Sequence, residues 1–189
     1  AVGVKAPSRI AIAHPFNPPH LVPLVELYGT DPEVVDRLVT FYRAIGKQPV
    51  VMRKEMVGHI ANRLSSALWR EALYLLQEGV ASVEDIDTAV TAGPGMRWAI
   101  QGPFLTYHLG GGQGGIRHYL EHLGPSQQYR WSSLGEPVMD EALTAKVVEG
   151  VEQATQGRTL DELFSRRDAQ LVAMQRPTTG AGHVKEVEA

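Results

Sequence analysis

Apolar and polar positions alternate in two regimes along this chain, short extended runs first and helical periodicity afterwards. Arg9 to Ala13 (RIAIA) is a β-branched apolar run that ends at His14, where prolines 15, 18 and 19 forbid further ladder pairing. Leu21 to Leu27 (LVPLVEL) is again strand-like, with Pro23 restricting it to an edge or irregular segment. Thr30-Asp31-Pro32-Glu33 has the spacing of a capping box and predicts a helix that stops at Gly46, and Gln48 to Met52 predicts a third short strand. From Lys54 to Glu78 the apolar positions Val57, Ile60, Ala61, Leu64, Leu68, Ala72, Leu75 and Leu76 recur at three and four, with Gly79 as the stop. The spacing predicts one long helix of about seven turns, apolar over more than one face and so suited to burial against two neighbours.

Ser82 is placed to cap a shorter helix reaching about Ala92, and Gly93-Pro94-Gly95 is a strong break. Further helices are predicted near 103–109, 114–123, 139–155 and 160–175, the last opened by the capping box Thr159-x-x-Glu162. Residues 177–189 have no apolar period and are expected to be disordered. The predicted class is therefore mainly α, preceded by one to three short β-strands. No repeat of solenoid length is present, and no Gly-x-Gly-x-x-Gly loop joins a strand to a helix. The cluster Gly110 to Gly115 lies between two helical segments and is expected to be a flexible hinge or loop rather than a phosphate cradle.

Composition narrows the function classes. With 43% apolar residues in 189, a folded globular chain with a substantial core is expected. The net charge of -3, with no basic block, argues against nucleic acid or anionic lipid as partner. The absence of cysteine removes disulfides, thiolate nucleophiles and zinc-thiolate sites. No apolar run is long enough to span a bilayer, so no membrane partner is expected and a cytoplasmic protein is compatible with the sequence.

Few residues are placed to do chemistry. His14 stands at a strand end, held by Pro15 and by Asn17-Pro18-Pro19, where an imidazole faces the crevice beyond a sheet. Glu26 interrupts an apolar run. A lone buried carboxylate is costly, so it needs a partner, and His14 is the one inferred: a carboxylate on one ring nitrogen fixes the tautomer and frees the other to take a hydroxyl proton. Spacing alone does not separate this pair from a solvated histidine and an edge-strand glutamate. Asn62 in the apolar stretch of the long helix is either a packing device or a hydrogen bonder to substrate. Arg97 and Trp98 follow the glycine-proline break, where an arginine fork can hold a carboxylate and an aromatic can face a cation, or where both are ordinary surface and core residues. His118 and His122, four apart, lack the further ligands a metal needs, and no metal site is expected.

Ala13-His14-Pro15-Phe16-Asn17-Pro18-Pro19, followed by Leu24-Val25-Glu26, resembles the His-Pro-x-Asn-Pro…Val-Glu signature of the 3-hydroxyacyl-CoA dehydrogenase family. Gly58-x-x-x-Asn62-Arg63-Leu64 resembles that family's Gly-Phe-x-x-Asn-Arg segment. The resemblance runs from about residue 9 to 124 and more loosely to 175. It implies that His14 is the general base taking the substrate hydroxyl proton as hydride leaves for NAD, Glu26 its orienting carboxylate, and Asn62 a polar contact near the reacting oxygen. It further implies that residues 1–53 are the terminal strands of a Rossmann domain whose remainder lies upstream and carries most NAD contacts. On that reading 54–176 form a helical substrate-binding and dimerisation domain, and 177–189 are a tail. Hydride transfer by this chain alone is then not expected, and a separate Rossmann domain is a further possible partner.

The segment Gly93 to Ala99 looks like the branch of the family containing L-carnitine dehydrogenase and L-gulonate dehydrogenase. That likeness implies a small free 3-hydroxy acid as substrate, with Asn17, Arg97, Trp98 and Tyr107 among its contacts. Arg97 would anchor the carboxylate, and Trp98, Tyr107 and Trp131 would be the candidates for an aromatic wall. A 3-hydroxyacyl-CoA substrate of fatty acid oxidation and a non-catalytic dimerisation or ligand-binding module are the alternatives.

Overall fold

The structure is a computed structural model that describes residues 3–175, so the expected tail at 177–189 lies outside the described residues. The chain divides into two compact units: residues 1–63 with 158–189, and residues 64–157. The last described helix falls in the strand-bearing unit.

In the first unit three strands form one sheet in the order β1 (Ala11–Pro15), β2 (Leu24–Gly29), β3 (Gln48–Val51). The β1 and β2 strands are antiparallel, β2 and β3 parallel, with α1 (Pro32–Ala44) as the crossover. All three predicted strands are present, and Pro49 is tolerated because β3 is an edge. As the central strand, β2 is covered on both faces: Val25, Glu26 and Leu27 are all buried. The Val25 and Leu27 face lies under α1, whose Val35 comes so close to Gly29 that a side chain there would meet it at 3.0 Å. Helix α1 starts one residue later than the capping-box spacing suggests. Asp31 is the cap, accepting from Glu33 and Val34 N–H at 3.0 and 3.4 Å. The cause is Pro32, which disfavours helical backbone at the residue before it and so leaves Asp31 extended. The final helix α8 (Leu160–Gln175) opens with the expected Thr159–Glu162 box and is tied to the strand unit by Asp168 against His20 and by Gln175 to the Leu21 carbonyl.

The predicted helix 54–78 is shorter than its periodicity. Helix α2 spans Ala61–Gln77, and residues 53–60 form turns, with Gly58 and His59 both in the left-handed region. Leu64, Leu68 and Trp69 on this helix are exposed, so the expected burial on two faces is not met within the chain.

The second unit adds α3 (Val83–Thr91), α4 (Pro94–Trp98), α5 (Pro103–Gly110), α6 (Gly115–Ser132) and α7 (Glu141–Thr155). Ser82 caps α3 as predicted, accepting from Asp85 N–H at 3.1 Å. Two expectations are corrected. Gly93-Pro94-Gly95 is not only a break: Pro94 starts the single helical turn α4. Gly112–Gly114 form one 3-10 turn that folds α5 back on α6, with Ile116 N–H donating to His108 Nδ1 at 3.1 Å, a tight connection rather than a loose hinge. Helix α6 also runs nine residues past its predicted end, through Pro125. The proline removes one ladder hydrogen bond, but the next turn carries Gln127, whose amide donates to the Tyr119 hydroxyl.

Lys146 of α7 reaches the Gln77 carbonyl at 2.9 Å, and Glu71 accepts Gly135 N–H at 2.9 Å, so α2 is tied at its C-terminal end to α7 and at its middle to the segment between α6 and α7. Gly135 lies against the Tyr74 ring, where an added Cβ would stand 1.8 Å from Cγ. Gly135→Ala is therefore expected to cost about 1–3 kcal/mol, read as a lower midpoint in urea unfolding. Buried apolar side chains are few among the described residues, and the substantial core expected from composition is not formed within the chain: most large apolar residues remain exposed.

Candidate active site

The antiparallel register of β1 and β2 pairs His14 with Glu26. Directly paired residues share a face of the sheet, and the two side chains meet: His14 Nδ1 lies 3.2 Å from Glu26 Oε2. Glu26 is 1% exposed while His14 is only half-buried, so the carboxylate is held inside and the imidazole faces outward. A second pair of partners reaches Glu26 from the helix side. Ile60 and Ala61 donate their backbone N–H groups to Oε1 at 2.7 and 3.0 Å. These are the first amides of α2, which have no partner within the helix and which carry the positive end of its dipole. Glu26 thus caps a helix distant in sequence and orients a histidine with its other oxygen.

Burial pushes the Glu26 carboxyl up, but the Ala61 and Ile60 amides, followed by the His14 imidazole, outweigh it and hold the group below the usual carboxylate range. An ionised carboxylate only accepts, so His14 Nδ1 carries the proton and Nε2 presents its lone pair. The arrangement can take a proton at Nε2 and stabilise the imidazolium that results. On its other side the His14 ring is stacked on His59, with centroids 4.7 Å apart and planes 14° apart. The sequence raised His14 and Glu26 as a candidate pair, and the family resemblance favoured it over the solvated alternative. Sequence reasoning missed the amides of Ile60 and Ala61, which have no side-chain signal, and it missed His59.

Asn17 and Asn62 are exposed, Asn17 in the turn after β1 and Asn62 in the first turn of α2. Arg97 and Trp98 lie exposed on α4 of the second unit. Tyr107 on α5 lies against Tyr119 of α6, with ring centroids 4.9 Å apart and planes tilted by 40°. Together with Phe104 and Trp131 these rings line an open cavity of about 340 Å³ whose lining also includes Gln127. Trp98 is not among its lining residues. A separate apolar groove of about 300 Å³ runs along α2, α3 and α7 and exposes Leu68 and Trp69. His118 and His122 stack on each other, and among the described residues no three potential ligands gather as a metal site would require.

Comparison with known proteins sets this geometry in a family. Residues 58–154 match the profile described as 3-hydroxyacyl-CoA dehydrogenase, C-terminal domain, and residues 1–56 match 3-hydroxyacyl-CoA dehydrogenase, NAD binding domain. The chain belongs to the 3-hydroxyacyl-CoA dehydrogenase family. It is thus part of a family of oxidoreductases that use NAD. Its curated relatives include the L-carnitine dehydrogenases of Nocardiopsis dassonvillei, 47% identical over 93% of this chain and 54% of that protein, and of Bacillus cereus, 46% identical over 90% and 53%. The L-carnitine dehydrogenase of Pseudomonas aeruginosa is 44% identical over 89% and 53%. The chain spans about half the length of the curated relatives it matches. Among solved structures, 5-formyl-3-hydroxy-2-methylpyridine 4-carboxylic acid 5-dehydrogenase, an NAD+ dependent dismutase, aligns with a TM-score of 0.74 at 27% identity, covering 92% of this chain and 57% of that one. The 3-hydroxyacyl-CoA dehydrogenase of Archaeoglobus fulgidus aligns at 0.53 and 26% identity, covering 90% and 60%. Both neighbours fit a mainly α chain with a small sheet. Among the described residues no helix is long and apolar enough to cross a membrane.

Proposed function

We propose that this chain is the substrate-binding part of an NAD-dependent L-3-hydroxy acid dehydrogenase acting on a small free acid such as L-carnitine. The observation that carries the reading is the His14–Glu26 pair, a buried carboxylate anchored by two helix amides and holding an imidazole with Nε2 free. His14 Nε2 accepts the proton of the substrate's 3-hydroxyl as the C3 hydrogen leaves with its electron pair, giving the 3-oxo acid. NAD, when bound, supplies the acceptor for that hydride. No glycine-rich loop joins a strand to a helix in this sequence, so the residues here offer no dinucleotide phosphate cradle, and the role proposed for them is confined to the proton. Asn62 and Asn17 are assigned to hydrogen bonds with substrate, and Arg97 to its carboxylate through a bidentate fork. The relatives named for L-carnitine favour a substrate bearing a trimethylammonium, and the aromatic cavity of Phe104, Tyr107, Tyr119 and Trp131 has the lining that attracts such a cation.

The test is calorimetric titration with L-carnitine, L-gulonate and 3-hydroxybutyryl-CoA, on this chain and on a chimera carrying the NAD-binding half of a curated relative, the latter with NAD. Binding of a free acid is the expected result. Binding of the CoA ester alone would move the chain to acyl-CoA chemistry, and no binding by either protein would leave a dimerisation module.

The groove along α2, α3 and α7 supports a second assignment, a homodimer in which a second copy covers Leu68 and Trp69. Leu68→Glu is expected to halve the mass measured by light scattering after gel filtration, with helical content retained. An unchanged mass would remove this face from the interface.

A further inference from the structure

His59 packs on the His14 imidazole, and the proposed chemistry leaves it without a part. Its ring lies nearly parallel to that of His14, 4.7 Å away, and covers one face of it. The residue holds this place at a cost, because its φ of 52° is a region that side-chain-bearing residues rarely occupy, entered here directly after Gly58 at 76°. The same short turn delivers the Ile60 and Ala61 amides to Glu26 Oε1, while Glu26 Oε2 takes His14 Nδ1. One backbone turn therefore reaches His14 by two routes, along the ring edge through Glu26 and across the ring face through His59.

We propose that His59 is a positioning residue for His14. A hydrogen bond at Nδ1 fixes the tautomer but leaves the ring free to rock about the axis of that bond. A second ring stacked on the face opposes that motion, so that Nε2 keeps the direction Glu26 gives it. The tilt of the base is then set by the turn that begins helix α2, and not by the strand that bears it. As a role in catalysis this rests on the reading of His14 as the base; as a statement about ring geometry it does not.

The experiment separates the two. In this chain, nuclear Overhauser contacts between the assigned His14 and His59 ring protons are expected, and their absence would overturn the proposal whatever any variant does. His59→Asn tolerates the left-handed backbone but removes the ring, and it is expected to move the His14 ring-proton signals from their stacked positions. His59→Phe keeps a ring and is expected to restore them. In the chimera, His59→Asn should lower kcat between about tenfold and a hundredfold with KM little changed, and His59→Phe should recover most of the loss. Unmoved His14 signals in His59→Asn, or a phenylalanine variant no better than the asparagine one, would refute the positioning role. Intact stacking and signal shifts beside a His14→Ala variant of full activity would instead refute His14 as the base and leave the ring geometry standing.

Discussion

Replacing His14 by Ala is expected to reduce turnover of a 3-hydroxy acid about 10²- to 10⁴-fold in the chimera carrying a relative's NAD-binding half, with folding unchanged. The size follows from what the imidazole does. On the proposed reading its Nε2 accepts the hydroxyl proton while the buried Glu26 holds Nδ1, and without the imidazole that proton must pass to water. The stability cost is small because His14 is half-buried at a strand end and the β1–β2 ladder is made by backbone. The measurement is initial rate against substrate concentration, with circular dichroism as the control for folding. A variant retaining wild-type kcat would end the reading of this site as a dehydrogenase base.

Replacing Glu26 by Ala is expected to lower stability as well as turnover. Glu26→Ala leaves the Ile60 and Ala61 amides and His14 Nδ1 without their acceptor. The half-exposed His14 can turn to water, but the two part-buried amides cannot easily do so, and unsatisfied donors cost about 1–3 kcal/mol each, so a loss on the order of 2–6 kcal/mol is expected in denaturant unfolding. Glu26→Gln keeps an oxygen for the two amides and presents an N–H₂ to Nδ1, which reverses the tautomer. It should unfold at nearly the wild-type midpoint near neutral pH yet turn over far more slowly. The wild type also carries a pH dependence. The folded carboxyl titrates below its unfolded value, so its contribution is complete above the usual carboxylate range and is lost as pH falls through the lower folded value. Acid unfolding of Glu26→Gln should accordingly be flatter than that of the wild type across that window, and identical profiles would contradict the carboxylate's role.

The two substitutions differ because the residues obtain their positions differently. His14 sits at a strand end and is oriented by the groups around it, whereas Glu26 is the acceptor on which two helix amides and the imidazole depend. That distinction is invisible in the sequence, where both read as polar residues beside apolar runs. It is also why cutting the helix at its periodic start misleads. The apolar recurrence from Val57 onward is continuous, yet Gly58 and His59 turn left-handed and the helix begins at Ala61, where a carboxylate from another element caps it. Periodicity records which residues suit one face; it does not record where an acceptor from 34 residues away stops the backbone.

The amino-acid sequence by itself determined the element types, because apolar spacing, capping residues and prolines act over a few neighbouring positions: three short strands, the Ser82 and Thr159 caps, and helices near their predicted places. It also determined the candidate pair, since a carboxylate inside an apolar run requires a partner wherever the chain goes. The tertiary structure decided what depends on elements meeting. The β1–β2 register set His14 beside Glu26, the turn at Gly58 brought two amides and a second imidazole to the same pair, and the packing of α5 on α6 gathered four aromatic rings that lie apart in the chain. The physical reason is one of range. Backbone propensity and capping are settled by local sterics and hydrogen bonds, whereas the direction of the His14 imidazole is settled by side chains and amides that only folding brings within 3 to 5 Å of one another.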